Sequence, residues 1–262
     1  MIMRLVIAIA CEIFCFACSI QNRVTTIHVI ICYGCMCSYF TPQISAIMVH
    51  ELSKHHSIFN QFMREIRDEE IQKDKMRFRR NVERIGEIMA YEISKTFDYA
   101  LHEVTTPLGV AEVSLPACKP LLCTILRAGL PMHQGMLNIF DHADSAFVAA
   151  FRKHDATGNF EIEVDYVSSP PIDGVELILC DPMLATGFSL EKVYKKLMQR
   201  GTPARVHIAC VIASETGLNH LRSKLPENTR YWIGAVDSEL TAHSYIVPGL
   251  GDAGDLAFGV KE

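Results

Sequence analysis

The stretch 175–198 constrains this chain more than any other. It opens with the apolar run Val175-Glu176-Leu177-Ile178-Leu179-Cys180, breaks at Asp181-Pro182, and closes with Met183-Leu184-Ala185-Thr186-Gly187-Phe188-Ser189. Leu190, Val193, Tyr194, Leu197 and Met198 then recur at three- and four-residue intervals, which predicts a helix. Strand, small-residue turn and helix together aim several backbone N–H groups at one point. The helix N-terminus adds partial positive charge there, so the turn 185–189 suits a phosphate. Asp181 stands at the carboxyl end of the strand, where open α/β sheets place ligands. A carboxylate in that position suits sugar hydroxyls or a metal ion and repels the phosphate itself. Taken alone, the segment also reads as an ordinary αβ turn with Ser189 as helix cap. No Gly-x-x-x-x-Gly-Lys-Ser/Thr occurs, which argues against a P-loop kinase.

Strands and helices alternate through most of the chain. Apolar runs of strand length lie at 121–126, 145–151, 161–167, 175–180, 206–212 and 230–236, with helical patterns at 130–140, 189–200 and 217–225. This implies an α/β fold, a mainly parallel sheet flanked by helices and joined by right-handed crossovers. Gly158-Asn159 and Pro170-Pro171 mark loops. A long amphipathic helix is predicted over 68–97, with Ile71, Phe78, Val82, Ile85, Met89 and Ile93 as its apolar stripe. Its basic cluster, Arg77, Arg79, Arg80 and Arg84, could contact a phosphate or effector or form an oligomer interface. A solvated face pairing with Glu83 and Glu87 is the preferred reading. Residues 105–117 alternate weakly around Pro107-Leu108-Gly109, predicting a β-hairpin arm that covers the core.

A formal net charge of −5 argues against a general nucleic-acid binder. Cysteine is divided unevenly: Cys11, Cys15, Cys18, Cys32, Cys35 and Cys37 precede Met48, and only four follow. Cys123, Cys180 and Cys210 sit in apolar runs, as small buried hydrophobes do, so a reducing, cytoplasmic compartment is the default. Residues 1–47 carry Arg4, Glu12 and Arg23 as their only Asp, Glu, Lys or Arg, around apolar runs at 5–20 and 24–37. A signal peptide or short membrane segment is disfavoured: Glu12 interrupts the first run, and neither run reaches about 18 uninterrupted apolar residues. Cys32-x-x-Cys35-x-Cys37 with His28 lacks a second ligand pair, which argues against zinc. The preferred reading is an apolar, Cys-rich upstream extension outside the fold, translated from a misassigned start codon, with the domain at 48–262. Peptides spanning 4–23 in the natively expressed protein would overturn it.

The strand, the acidic residue and the Thr-Gly-x-Ser turn resemble the phosphoribosyl-diphosphate signature of type I phosphoribosyltransferases. The wording Asp181-Pro182-Met183-Leu184-Ala185-Thr186-Gly187 is narrower and resembles uracil phosphoribosyltransferases. Two further segments agree, in the right order: Ile125-Leu126-Arg127-Ala128-Gly129-Leu130, and 245–255, read Tyr-Ile-Val-Pro-Gly-Leu-Gly-Asp-Ala-Gly-Asp. The resemblance runs from about Met48 to the C-terminus. It implies the type I fold with a small hood, and a transferase of pyrimidine salvage that makes UMP and diphosphate from uracil and phosphoribosyl diphosphate. It also implies Mg²⁺ held mainly by diphosphate and water with no direct protein ligand, GTP as an activator, and a homo-oligomer. Neither a nucleic acid nor a membrane is expected as a partner.

The same resemblance distributes roles along the chain. The catalytic set is Asp181, Arg127, Arg152 and Asp252. Phosphoribosyl diphosphate is expected to contact Arg127, Arg152, Asp181, Pro182, Met183, Leu184, Ala185, Thr186, Gly187, Phe188, Ser189 and Asp252. Uracil is expected at Ile246, Gly251, Asp252 and Ala253. Arg127 ends a buried strand, a costly place for a cation unless an anion meets it, and Ala128-Gly129 is small enough for backbone to approach a ligand. Arg152 ends the strand 145–151 and begins the polar loop 153–159, which the resemblance makes a closing loop. The Gly- and Pro-containing tail suits a rigid main-chain surface that reads the alternating acceptors and donors of uracil, and cytosine would leave those partners mismatched. Asp237 and His243, just upstream, are candidate supports for it. Relatives have Gly or another small residue where this chain has Phe188; a positive φ there would strain it.

Three other readings compete. A phosphoribosyltransferase for a different base is disfavoured by the tail segment. A pyrimidine-responsive RNA-binding regulator on the same fold should show a basic face, against the acidic balance. A membrane-tethered protein defined by 1–47 would separate from a cytosolic enzyme on fractionation.

Overall fold

The computed structural model describes residues 49–154 and 160–261, with the side chains of 151–162 outside that description. The expectations for 1–47 and for the loop 155–159 lie outside the described residues. Seven strands form one path in the central sheet: β1 (Val49–Glu51), β4 (Pro120–Leu126), β5 (Asp144–His154), β6 (Phe160–Ser168), β7 (Glu176–Cys180), β9 (Arg205–Ser214) and β10 (Arg230–Asp237). Their order is β1-β10-β9-β7-β4-β5-β6, and every neighbouring pair is parallel except β5 with β6. A two-residue strand, β8 (Met183–Leu184), adds to β9.

The central strands read as near-continuous apolar runs because they are buried on both faces. Along β7, Leu177 and Leu179 enter one core while Ile178 and Cys180 enter the other. One core is closed by α1 (Phe59–Arg67), α2 (Lys75–Ser94) and α3 (Leu130–Leu137); the other by α4 (Phe188–Leu197) and α5 (Glu215–Lys224). The hood consists of β11 (Glu239–Leu240), β12 (Ile246–Val247) and α6 (Ala253–Phe258).

Three expectations are corrected. The long helix starts at Lys75 instead of Asp68, because the Asp74 carboxylate accepts the Met76 and Arg77 N–H groups as its cap. Asp68 caps a separate turn leading into the short 3-10 segment Ile71–Lys73. Of the basic cluster, only Arg80 pairs with Glu83 (2.6 Å) and Glu87 (3.7 Å). Arg77 pairs with Glu65, Arg79 donates to the Ala257 carbonyl, and Arg84 lies over the Phe62 ring. The hairpin, β2 (Tyr99–Thr106) with β3 (Gly109–Pro116), is longer than expected and covers nothing among the described residues: fifteen of its sixteen strand residues are exposed.

Candidate active site

The connection after β4 leads to β5 on one side, and the connection after β7 leads to β9 on the other. Where two such crossovers diverge, a crevice opens beyond the carboxyl ends of the strands. Here a cleft of about 520 Å³ opens at that place. Arg127 lines it from the end of β4, Asp181 from the end of β7, Met183, Leu184, Ala185, Thr186, Gly187 and Ser189 from the turn into α4, and Gly251, Asp252 and Ala253 from the hood.

The turn is built to hold its N–H groups outward. Gly187 caps α4 at φ 83°, so the left-handed residue is the glycine, and Phe188 is the first helical residue. The strain considered for Phe188 does not arise; its ring stands edge-on to His220 at 4.6 Å. Glu191 makes the first return bond to Gly187, which leaves the N–H groups of Phe188, Ser189 and Leu190 without a helical partner. Behind the turn, buried Ser214 donates its hydroxyl to the Ala185 carbonyl at 2.5 Å and accepts the Gly217 N–H at 2.8 Å. Carbonyl and N–H point oppositely across a trans peptide, so tying the Ala185 carbonyl backwards turns the Thr186 N–H towards the cleft. A Cβ on Gly217 would lie 2.3 Å from that carbonyl, so α5 packs this closely only with glycine there.

Asp181 accepts the Met183 N–H at 3.1 Å. Burial raises its pKa to about 7, the negative charge of Asp252 pushes the same way, and the Met183 bond opposes them. Asp252 caps α6 by accepting the Asp255 N–H at 3.0 Å. Arg127 meets its anion within the chain: Asp255 at 3.0 Å, with the Gly259 carbonyl accepting at 3.1 Å.

Not every expected residue reaches the cleft surface. Pro182 is buried, its carbonyl bonded to the Ile212 N–H; the Phe188 side chain turns away, leaving its main chain in the turn. Ile246 is 4% exposed and packs into the core behind the hood, its register with Leu240 facing it inward. Gly129 approaches the sheet and not a ligand, since a Cβ there would lie 2.1 Å from the Thr124 hydroxyl. Arg152 does not end its strand: β5 continues to His154, and Arg152 pairs with Ile162 across the antiparallel edge. Its side chain lies outside the described residues.

A family model described as uracil phosphoribosyltransferase matches residues 53–260. The chain belongs to the uracil phosphoribosyltransferase family. A uracil phosphoribosyltransferase of Porphyromonas gingivalis is 54% identical over 213 residues, covering 81% of this chain and 99% of that one. Another, from Pyrococcus furiosus, is 36% identical over 202 residues, covering 76% and 85%. A solved protein of Aquifex aeolicus has the same fold, with TM-score 0.73 at 28% identity, covering 81% of this chain and 99% of that one.

Further residues line the cleft beyond those expected from the sequence. Ser244, at φ 62°, and Tyr245 line it from the hood, and Lys261 brings a cation from the C-terminal end. Tyr245 opens the tail motif, so its position was visible although its role was not. Ser214 reads locally only as the cap of α5, and its bond to the turn, which bridges separate βα units, leaves no such signal.

Proposed function

We propose that this chain transfers the 5-phosphoribosyl group of phosphoribosyl diphosphate to uracil, giving UMP and diphosphate. The observation that carries the reading is the convergence of an anion-binding turn, Asp181, Arg127 and a main-chain hood on one cleft. In the transfer, the bond from C1′ to the diphosphate oxygen breaks, the bond from C1′ to uracil N1 forms, and the N1 proton leaves to solvent. Positive charge builds on the ribose and negative charge on the departing diphosphate, so catalysis is mainly positioning and charge neutralisation. The turn 185–189 holds the 5′-phosphate. Asp181 holds the ribose hydroxyls and faces the growing positive charge. Arg127 neutralises the leaving group. Gly251, Asp252 and Ala253 hold the base side.

Mg²⁺ is proposed as the cofactor, and when bound it supplies charge neutralisation on the diphosphate. Among the described residues no group of three His, Cys, Asp or Glu could cage a metal. Asp181, after β7, and Asp252, in the hood, bring two carboxylates to the cleft, which fits an ion that keeps most of its water and meets protein at few points. The test of the reading is conversion of radiolabelled uracil to UMP, with cytosine and hypoxanthine as controls. Conversion of hypoxanthine in place of uracil would overturn it.

We further propose that the hairpin arm docks a second copy of the chain. Ala100, His102, Val104, Ala111, Val113 and Leu115 share one face, and the other exposes Tyr99, Leu101 and Val110 beside the opposed Glu103 and Glu112. A lone two-stranded ribbon is marginal in water, and an exposed apolar face of this length needs a partner. Replacing Val104 and Val113 together with Asp is expected to lower the mass in light scattering to the single-chain 29.4 kDa. An unchanged multiple of that mass, or a wild type that is already monomeric, sinks the idea. No helix among the described residues is long and apolar enough to cross a membrane. Cys118, Cys123, Cys180 and Cys210 are free thiols, which suits the reducing cytoplasm proposed for it.

A further inference from the structure

We infer that Arg67 and Asp237 form a rear clamp on the base-reading loop and are positioning residues for base selectivity, an inference that rests on the proposed uracil transfer. Arg67 is the last residue of α1, and Asp237 ends β10; 170 positions separate them. They meet as a fork, Nη1 to Oδ2 and Nη2 to Oδ1, both at 3.0 Å. Asp237 is 8% exposed, so the pair is shielded from water on its acidic side.

The clamp then takes hold of the loop. Asp237 Oδ2 also accepts the Gly249 N–H at 3.0 Å, and Arg67 Nη1 reaches the Gly249 carbonyl at 3.4 Å. With its amide nitrogen facing them, Gln72 donates to the Leu250 carbonyl at 2.9 Å and the Ile66 carbonyl at 3.0 Å. Gly249 itself sits at φ 58°, where a Cβ would lie 2.1 Å from the Ile246 carbonyl, so the turn closes tightly at this residue. Three main-chain atoms of Gly249 and Leu250 are thus tied to the rear, and Gly251 and Asp252, next in the chain, line the cleft.

A main-chain reader has no side-chain charge with which to select its ligand. Its discrimination depends on N–H and C=O groups staying where the wrong base leaves them unpaired. Errors of about 1 Å in such groups are enough to blunt selection. The bidentate fork supplies geometric constraint that a point charge does not. The phosphate turn is held by the Ser214 hydroxyl and by Gly217, neither of which the clamp's hydrogen bonds reach, so loosening the clamp should reach the base side of the cleft first.

The test compares wild type, Arg67→Lys and the double variant Arg67→Met/Asp237→Asn. The double variant leaves no unpaired buried charge, and Asn can still accept the Gly249 N–H, so the fold is retained. KM for uracil is expected to rise at least about tenfold in the double variant, with KM for phosphoribosyl diphosphate within about twofold of wild type. The ratio of the cytosine inhibition constant to the uracil KM should fall, and Arg67→Lys should lie between. An equal rise in both KM values marks a merely structural role and overturns the inference, as does an unchanged uracil KM. A wild type that leaves uracil unconverted overturns the functional reading itself, which separates the two failures.

Discussion

Asp181→Asn is expected to lower kcat/KM roughly a hundred- to a thousand-fold, the scale of losing one preorganised charge-stabilising group, while making the ligand-free protein more stable above pH 7. The two effects share one cause. Burial and the neighbouring Asp252 raise the Asp181 pKa from 3.8 to about 7, so the folded protein resists the ionised form that the reaction uses. Below 3.8 the group is protonated whether or not the chain is folded. Between 3.8 and about 7 only the folded protein keeps the proton, so stability falls as pH rises through that window and then levels off.

The size of the loss follows from the shift. A rise of about three pKa units corresponds to about 4 kcal/mol at most. Part of the side chain still meets the cleft, where water screens it, so about 2 kcal/mol, or about 5 °C in Tm, is the expected gain for Asp181→Asn at pH 8. Asn preserves the acceptor for the Met183 N–H, so the turn keeps its shape. The wild-type kcat/KM for phosphoribosyl diphosphate should rise with pH through a step near 7 as the carboxylate forms, and the variant should lose that step. Melting curves at pH 4 and pH 8, with kinetics alongside, check both halves. Full activity, or a variant no more stable at pH 8, would remove Asp181 from its assigned place.

What the chain disclosed in one dimension, and what it withheld, follow the range of the interactions concerned. The segment from Val175 to Ser189 was readable because strand, turn and helix are contiguous, so the turn's geometry is local. Even the question over Phe188 was local, and it resolves one residue earlier, at Gly187. The start of α2 was misplaced because Asp68 and Asp74 both carry capping chemistry, and apolar spacing does not say which one begins the longer helix. The arm's strands were legible in part, but alternation does not reveal what covers a face. Arg152 was set at a strand end because the apolar run stops there, whereas antiparallel pairing with β6 carries β5 further. Ser214, Gly217 and the Arg67–Asp237 fork were invisible, since each acts on a segment far away in sequence.

Arg127→Met should cost kcat about as much as the loss of a leaving-group neutraliser does, roughly a hundredfold or more, with little change in stability. The Arg127–Asp255 pair is 40% and 29% exposed, and pairs this wet contribute little to folding. Arg127→Lys should recover only part of the rate, because an ammonium cannot fork across two diphosphate oxygens. A competing explanation is available from the same contacts. Arg127 also grips the hood through Asp255 and the Gly259 carbonyl, and on that explanation its removal acts by loosening the base site alone. Asp255→Asn separates the two. It weakens the grip but leaves the cation in the cleft, freer to meet diphosphate. If neutralisation is the role, Asp255→Asn keeps near wild-type kcat and does not raise KM for phosphoribosyl diphosphate, while Arg127→Met collapses kcat. If both variants fall alike, the arginine works through the hood, and the charge on the leaving group must be met by another residue, with Lys261 the next cation along the cleft wall.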